Sequence, residues 1–449
     1  MNWDKALSTL IVISVALTTV ACTQSPQPEV IPDQETGTEP DALTRMLALV
    51  GPEQAMEGEE TRNLSWEGKD KTFLTSANRF SFGLYGRLAE EGKDFVYSPL
   101  SLQYILGMLQ EVADETTSLE IRKALGIEYL SREDAGGYYQ FVLESLPTMD
   151  NEIALSLSNA FLVDDAIGIL PEGQQQLARN YKSVVEQVDF AKSKEVVDLV
   201  NAWCNQHTNG LIPHLLPDGM DLSQMIACLM NALYFKGGWS DPFISESNSK
   251  KTFYPTQGSQ KEMTFMNQKN SYFKYFADET CQAISLPVGK YQSFILTGIL
   301  PQGDKSLAET AGWLSGEGWE RIRGKQARKD IELFLPKFST ASDDIQLADP
   351  LKEMGFQRIF STDSRWSGLL DTEGAAPVSV LFQKAKFGID EDGVEGAAAT
   401  FGGMVGTNLD APEPVFMPLV FDHPFLYVLS EAETGLILFI GQFCSGNAE

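Results

Sequence analysis

The segment IACLMNALYFKGGWSDPF, residues 226–243, decides the fold of this chain. It opens with a long apolar run in which Asn231 is the one amide side chain. A continuous apolar run is typical of a strand that is covered on both faces, whereas strict alternation marks a half-exposed strand. We therefore predict that this segment is a buried strand of a large sheet.

Helical patterns dominate the chain before this strand, and strand patterns dominate after it. Residues 75–91 have apolar positions near helical spacing, a second helix opens at Ser98 or Ser101, and residues 196–212 form a helix pattern that Asn209-Gly210 ends. The strand patterns are at residues 153–164, 281–289, 293–301, 330–338, 378–390, 425–430 and 435–443. This order predicts an α+β fold with a large mixed sheet.

Composition and charge limit the classes of function. The chain has 449 residues, of which 43% are hydrophobic and 10% aromatic, as expected of a folded globular protein. With 62 acidic residues against 34 Lys and Arg, the formal net charge is −28. This charge argues against binding of nucleic acid, heparin-like polyanions or anionic lipid by bulk electrostatics.

The N-terminus has the form of an export signal. ALSTLIVISVALTTVA, residues 6–21, is an uncharged run of 16 residues that is short for a membrane span and ends in small residues before Cys22. This pattern predicts a lipoprotein-type signal peptide over residues 1–21, with lipidation of Cys22. A plain secretory signal is the alternative. Both place the protein outside the cytoplasm, as a bacterial envelope or surface lipoprotein or as a secreted or periplasmic protein.

A polar linker separates this signal from the folded body. TQSPQPEVIPDQETGTEPDA, residues 23–42, is rich in Pro, Gln, Glu and Thr and has few large apolar residues. We predict a flexible acidic tether over residues 22–70 and a single folded domain over residues 71–449.

No motif of an enzyme or a metal site is found in the sequence. The cysteines after Cys22 show no CxxC spacing, and we expect buried free thiols at Cys204, Cys228, Cys281 and Cys444, with disulfides in an oxidising compartment as the alternative. The three histidines, His207, His214 and His423, are expected at the surface or at caps. The acidic run at 390–392 is expected to face solvent. We predict a protein that is not an enzyme and needs no metal or cofactor.

One segment near the C-terminus consists mostly of small, uncharged residues. Between Val394 and Ala411 there is no proline, and the only charged residues are Glu395 and Asp410. Four glycines and four alanines make up much of the rest. The segment is compatible with an extended strand, yet it lacks the apolar pattern of a core strand.

Four segments of the chain resemble motifs of the serpin superfamily of serine protease inhibitors, and with the signal they resemble a bacterial lipoprotein-type member. They are FVYSPLSL (95–102), VNAWCNQHTNGLIPHLL (200–216), NALYFKGGWSDPF (231–243) and FDHPFLYVLSEAETGLILFIGQF (421–443). The resemblance implies a large central mixed sheet, two smaller sheets, about eight or nine helices and an exposed reactive-centre loop over about residues 391–415.

In this family a protease cleaves the loop, and the N-terminal part of the loop then inserts into the central sheet as a new strand. A central strand must donate its backbone N–H groups, so it excludes proline, and the first proline after Gly393 is Pro412. Alternation from Val394 places only small or uncharged residues on the face that would enter the core. These inward residues are Val394, Gly396, Ala398, Thr400, Gly402 and Met404, while the charged Glu395 falls on the outward face.

The resemblance implies three groups of control residues. The hinge of the loop comprises Glu391, Gly393, Val394, Glu395, Gly396, Ala397, Ala398, Ala399 and Thr400. A buried polar group beneath the sheet, the shutter, comprises Ser98, Ser101, Asn231 and Gln383, where Gln383 replaces the family's usual His and can still donate a hydrogen bond to Asn231. The point where insertion starts, the breach, holds Trp239, Lys337 and Glu391.

The hinge sequence EDGVEGAAAT is similar to that of inhibitory members. The implied function is suicide inhibition of serine, or also cysteine, endopeptidases, in which the acyl-enzyme is trapped by loop insertion. The alternative is a non-inhibitory envelope lipoprotein that uses the fold as a binding scaffold. The expected partner is a target protease, which forms a covalent acyl complex with the inhibitor. The inhibitor is expected to be a monomer and to contact membrane only through its N-terminal lipid.

The cleaved bond is placed by counting. The family's usual spacing of about 16 residues from Glu391 gives Thr407–Asn408. Counting back from residues 421–425 gives Glu413–Pro414 for short loops, where proline disfavours cleavage, and Leu409 for long loops. We predict Thr407–Asn408 within a window that also holds Met404, Val405, Gly406, Leu409 and Asp410. Lys386 is the last Lys or Arg of the chain, so elastase-, subtilisin- or chymotrypsin-like pockets fit better than trypsin-like ones.

Overall fold

The apolar central segment forms strand β6, Met225–Gly238, in which only Ile226 and Lys236 are partly exposed. The prediction of a strand covered on both faces is therefore confirmed. The structure is a computed structural model that describes residues 9–17, 46, 71–394 and 415–447. No helix in these ranges combines the length and the apolar character needed to cross a bilayer.

The described ranges hold eighteen strands and nine α-helices. The strands are β1 Thr9–Leu17, β2 Phe95–Tyr97, β3 Ala154–Asp164, β4 Gly168–Ile169, β5 Ser183–Val188, β6 Met225–Gly238, β7 Ser249–Phe253, β8 Lys261–Ala277, β9 Cys281–Val288, β10 Phe294–Pro301, β11 Ala327–Pro336, β12 Phe338–Gln346, β13 Leu370–Asp371, β14 Val378–Ile389, β15 Gly393–Val394, β16 Met417–Val420, β17 Phe425–Glu431 and β18 Ile437–Phe443. The helices are α1 Thr72–Leu88, α2 Pro99–Val112, α3 Glu115–Ala124, α4 Arg132–Ser145, α5 Pro171–Tyr181, α6 Ser193–His207, α7 Leu307–Trp313, α8 Trp319–Lys325 and α9 Ala348–Glu353.

The central sheet is mixed. Its order is β1-β14-β15-β6-β3-β5, with β12 pairing with β14 and β1 also pairing with β6. Strand β3 runs antiparallel to β6 and parallel to β5, and β12 runs antiparallel to β14. A nine-stranded sheet has the order β16-β11-β8-β9-β10-β17-β18-β2, with β7 on β8, and β4 pairs with β13. The predicted α+β class with a mixed central sheet and two further sheets is confirmed.

Helix α2 packs at the centre of the molecule, and all fourteen of its residues are buried. Its N-cap is Ser98, whose side chain accepts the N–H of Ser101, and proline occupies the first turn, where its missing N–H costs nothing. This cap fixes where the helix begins and joins Ser98 to Ser101.

A second hydrophobic cluster lies under helix α6 and includes Trp203 and Cys204. Helix α6 ends at His207, and the following Asn209 and Gly210 adopt positive φ angles of 52° and 83°, as the Asn-Gly pair predicts. His207 is only 2% exposed, with its ring 4.7 Å from that of Trp203. The expectation of a surface or capping histidine is therefore wrong, because the side chain turns into the apolar cluster.

Two described parts of the chain lie before residue 71. Strand β1 runs parallel to both β6 and β14 and fills the position between them. Met46, within the predicted tether, is helical and fully buried in the cluster under α6. The N-terminal region therefore contacts the domain at two places. The division into signal, tether and domain remains a prediction, and Cys22 lies outside the described residues.

The four cysteines after residue 22 are free and buried. Burial raises the pKa of each thiol to about 12. The expectation of buried free thiols agrees with this arrangement, and at neutral pH these groups are neutral thiols rather than nucleophilic thiolates.

Candidate functional site

A tight turn joins the end of β14 to the two-residue strand β15, at the start of the plain C-terminal segment. Ile389 pairs with Val394 across the turn, and the N–H of Asp390 donates to the carbonyl of Gly393 at 3.0 Å. The Asp390 carboxylate accepts the N–H groups of Asp392 and Gly393 at 2.9 and 3.2 Å. The side chain of Asp390 thus holds the turn closed.

The expectation that the acidic run faces solvent is wrong at Asp390. This residue is only 9% exposed because its carboxylate satisfies the main chain of the turn. Burial raises the pKa of the carboxyl above its ordinary value, and the two main-chain hydrogen bonds oppose the shift only in part.

The segment that follows β6 clamps this turn from outside. The indole N–H of Trp239 donates to the carbonyl of Asp390 at 2.8 Å, and the Trp239 main-chain N–H donates to the carbonyl of Asp392 at 3.0 Å. The N–H of Phe243 donates to the carbonyl of Glu391 at 3.1 Å. Each of the three acidic residues of the turn therefore has its carbonyl bound by this segment, which is the second half of the motif that decides the fold.

Glu391 links the turn to the nine-stranded sheet. Its carboxylate accepts a hydrogen bond from Lys337 at 2.9 Å and another from the Asn248 amide at 2.6 Å. Partial burial would raise the pKa of Glu391, but these bonds outweigh it and hold the pKa below the ordinary value. The structure thus brings together Trp239, Lys337 and Glu391, the three residues assigned to the breach.

Strand β15 lies against β6 with almost no space between the two backbones. Gly393 is opposite Gly238 and Val394 is opposite Gly237, in antiparallel register. A Cβ atom on Gly393 would lie 2.3 Å from the carbonyl oxygen of Gly237, which is main chain and cannot move aside. Glycine is therefore required at this close approach. Val394 is fully buried, as its place on the inward face predicts.

The four shutter residues lie in one buried hydrogen-bond network. The Gln383 amide accepts the N–H of Ser98 at 2.9 Å and donates to the carbonyl of Ser98 at 3.0 Å. The Ser98 hydroxyl accepts the N–H of Ser101 at 3.2 Å, and the Ser101 hydroxyl donates to the Asn231 side chain. These bonds tie the N-terminus of α2 to β14 and to β6.

This network includes bonds beyond the one between Gln383 and Asn231, which stays a prediction. The described bonds of Gln383 reach the Ser98 main chain, because its amide can satisfy the donor and the acceptor of one peptide group at once. The Asn231 amide donates to the Asn159 side chain at 2.7 Å, and Asn159 donates to the carbonyl of Tyr181 at 2.7 Å. The network therefore extends across β6 to β3 and α5.

Sequence reasoning missed three residues of the site. Asn159 interrupts the apolar half of β3, and that interruption was a usable signal of a buried polar network. Asp390 lies two and three residues before the N–H groups that it accepts, a spacing typical of a side chain that closes a turn. Asn248 lies in a polar stretch where nothing in the sequence marks it.

The rest of the hinge and the whole reactive-bond window lie outside the described residues. They are Glu395, Gly396, Ala397, Ala398, Ala399, Thr400, Met404, Val405, Gly406, Thr407, Asn408, Leu409 and Asp410. Their assignments remain predictions from the sequence.

The described residues hold no group of three or more His, Cys, Asp or Glu side chains that could bind a metal ion. The chemistry that the site offers is instead strand pairing. A short antiparallel strand has entered between β14 and β6, above a buried polar network, at the start of a long connection to β16.

Comparison with known proteins identifies the family. A family model described as Serpin (serine protease inhibitor) matches residues 75–446, and the chain belongs to this family. Wheat (Triticum aestivum) Serpin-Z2A is 31% identical over 382 residues, which cover 82% of this chain and 95% of that protein.

Solved structures show the same fold. The native state of the thermophilic serpin tengpin matches with a TM-score of 0.74 at 24% identity, over 86% of this chain and 97% of that one. Human thyroxine-binding globulin matches with a TM-score of 0.73 at 23% identity, over 84% of this chain and 99% of that one. Members of this family are typically protease inhibitors rather than enzymes.

Proposed function

We propose that this protein is a suicide inhibitor of serine endopeptidases, and also of some cysteine endopeptidases. The nucleophile of the protease attacks the carbonyl carbon of Thr407, expels the amine of Asn408 and leaves an acyl-enzyme. The freed N-terminal arm of the loop then pairs with β14 and β6 as a new strand. The attached protease is carried along, and its active site is distorted before water can release it.

The observation that carries this proposal is the position of β15. Gly393 and Val394 already pair with β6 in antiparallel register, and Val394 also pairs with Ile389 of β14. The first two residues of the new strand are therefore seated, in the orientation that an inserting loop requires. The sequence that follows has no proline before Pro412 to stop the extension.

The clamp around the turn explains why insertion would start here. The carbonyls of residues 390–392 are held by the segment 239–243, and Glu391 is held by Lys337. The turn therefore stays fixed while the chain beyond Val394 moves. Each new ladder hydrogen bond adds a net ~0.5–1.5 kcal/mol, and ordering each residue costs roughly 1–2 kcal/mol. Burial of the inward face must supply the remaining driving force.

The proposed targets have pockets for small or apolar side chains. Because Lys386 is the last basic residue, no Lys or Arg in the loop can pair with the acidic residue of a trypsin-like pocket. Elastase-, subtilisin- and chymotrypsin-like proteases fit the window of residues 404–410. We further propose an extracytoplasmic monomer, anchored through Cys22 if the signal is of the lipoprotein type and otherwise secreted or periplasmic.

Complex formation between residues 22–449, the chain without its predicted signal, and subtilisin or elastase tests the proposal. We expect a covalent complex that survives SDS, together with a released C-terminal peptide whose mass places its first residue at Asn408. Two variants with the same substitution at neighbouring positions supply the control. Ala398→Arg places a charge on the inward face and should convert the inhibitor into a substrate, whereas Ala399→Arg faces outward and should keep trapping. Cleavage of the loop in residues 22–449 with no trapped protease would reject inhibition.

The likeness to thyroxine-binding globulin favours a second candidate, a binding scaffold that does not inhibit. The two candidates predict different thermal stability for a protein whose loop has been cut by a protease that is not trapped. Insertion raises the thermal unfolding midpoint strongly because a strand is added to the sheet. An unchanged midpoint after cutting residues 22–449 would support the scaffold.

A further inference from the structure

The position between β6 and β14 is already occupied over most of its length by β1, residues 9–17, called here the leader strand. It runs parallel to both neighbours. On β6 its partners extend from Met225, opposite Thr9, to Tyr234, opposite Leu17. On β14 the pairing runs from Val378 to Lys386. The leader strand therefore uses both hydrogen-bonding edges that face this position.

The hinge enters the same position from the opposite end. Val394 is opposite Gly237 of β6 and Ile389 of β14, and each later residue of an inserting loop would move one step back along both strands. Ala397 would then come opposite Tyr234 and Lys386. These are the two residues that already pair with Leu17. From Ala397 onward, the loop and the leader strand require the same partners.

The leader strand and the loop also both have a hydroxyl residue in register with the shutter. In the leader strand Ser14 is opposite both Asn231 and Gln383. In the inserted loop the continued register would place Thr400 opposite the same two residues. Each segment therefore carries its hydroxyl residue at the level of the buried polar network beneath the sheet.

The leader strand is the better strand former of the two. Its sequence, TLIVISVAL, contains five β-branched residues and no charge, proline or glycine. Residues 397–404 of the loop, AAATFGGM, contain one β-branched residue and two glycines. β-Branched residues favour strands, and glycine loses more conformational freedom on ordering. The loop alone would not be expected to displace the leader strand readily.

We infer that the leader strand is a built-in competitor of the reactive loop, an inference that rests on the proposed inhibitory function. While residues 1–21 remain attached, a loop that is cut can insert only as far as residue 396. The protease is then released by water, and the precursor acts as a substrate. Hydrolysis of the chain before Cys22 removes the leader strand and opens the position. The precursor is thereby kept inactive toward proteases it meets before export.

Three proteins made by cell-free synthesis without membranes test the inference: the full chain, residues 22–449, and the full chain with Ile13→Pro. Proline at position 13 removes an N–H from the middle of the leader strand, so this variant should leave the position open. Thr19→Pro, two residues beyond the strand, is the matched control. With subtilisin we expect roughly tenfold less SDS-resistant complex from the full chain and from Thr19→Pro than from the other two proteins.

Hydrogen exchange supplies a readout that does not depend on inhibition. In the full chain the amides of residues 9–17 should exchange slowly, and Ile13→Pro should expose them. Equal trapping by the full chain and residues 22–449, or exchange of residues 9–17 at the rate of an unfolded peptide, would overturn the inference.

The two proposals can fail separately. If no protein traps subtilisin, inhibition is rejected. The competition would still be supported if cutting the loop raised the thermal midpoint only in residues 22–449 and Ile13→Pro. Equal rises in all four proteins would overturn it.

Discussion

Glu391 and Lys337 form the ion pair that fixes the hinge turn, and the two partners are not equally exposed. The Glu391 side chain is 15% exposed and the Lys337 side chain 37%. Replacing Lys337 by Met leaves a mostly buried carboxylate with one hydrogen bond fewer, whereas Glu391→Gln removes the charge itself. We expect Lys337→Met to cost about 1–2 kcal/mol of unfolding free energy and Glu391→Gln less. Urea denaturation at pH 7 measures both.

The pH dependence of this pair has a defined sign. Because the pKa of Glu391 is lower in the folded state than its ordinary 4.5, the charged carboxylate stabilises the fold above that value. That stability is lost as the pH falls below 4.5 and through the folded pKa. The difference between wild type and Glu391→Gln should therefore shrink at pH 3 to 3.5. A difference that stays constant with pH would contradict the assigned role of the charge.

His207 differs from Glu391, because the fold disfavours the charged form of the His207 side chain through burial, whereas it stabilises the charged form of Glu391. Its pKa falls from 6.5 to about 4, although the Met46 backbone opposes the shift. Since the unfolded chain binds the proton first, stability that is complete above pH 6.5 is lost as the pH falls toward 4. The full loss is on the order of 3 kcal/mol. His207→Leu should remove this part of the pH dependence in denaturation curves at pH 7 and pH 4.5.

At the scale of elements, the contact between β15 and β6 depends on glycine. Gly393→Ala would push its Cβ against the main chain of Gly237, so β15 must leave β6. We expect a loss of about 1–3 kcal/mol and faster hydrogen exchange at the Trp239 amide, which donates to the turn. Gly137→Ala in α4 is the control, since nothing lies within 4 Å of its Cβ position. It should be neutral or slightly stabilising. An unchanged exchange rate at Trp239 in Gly393→Ala would argue against the contact.

Elements whose signals are local could be predicted from the sequence. Strand β6 could be predicted from its apolar run, the start of α2 from its Ser-Pro pair and the end of α6 from its Asn-Gly pair. Each signal lies within a few residues of the feature that it marks. The breach could also be placed, because its residues belong to motifs that the family shares. The bonds from Gln383 to the Ser98 main chain could not be predicted, because the sequence does not show that Ser98 lies beside β14.

Features that depend on contacts between distant segments could not be predicted. His207 lies in a polar stretch, and only the packing of α6 against the second cluster shows that its ring is buried. Met46 belongs to a segment with the composition of a linker, yet it is covered by residues more than a hundred positions away. Strand β1 has the composition of a signal peptide, and composition does not show which sheet edges such a segment can pair with.

At the scale of the whole molecule, the four buried thiols of the described residues report on global opening. Cys228 lies in β6 at the centre of the sheet, and Cys204 lies in the cluster under α6. With their pKa raised to about 12, these thiols are neutral at pH 8 and shielded from reagent. In the native protein with Cys22→Ser, we expect labelling by an aromatic disulfide to be slow and limited by opening of the fold.

Cutting the loop in residues 22–449 should slow this labelling further. An inserted strand adds ladder hydrogen bonds on both edges of the opening between β6 and β14, so exposure of Cys228 requires those bonds to break. Cys281 and Cys444, in and beside the nine-stranded sheet, serve as internal references that distinguish local from global opening. If insertion stabilises the central sheet as a unit, the labelling rate of Cys228 should fall more than the rates of these two cysteines after cutting. Peptide mass mapping of the labelled sites measures each rate. Equal rates before and after cutting would mean that the cut loop stays outside the sheet.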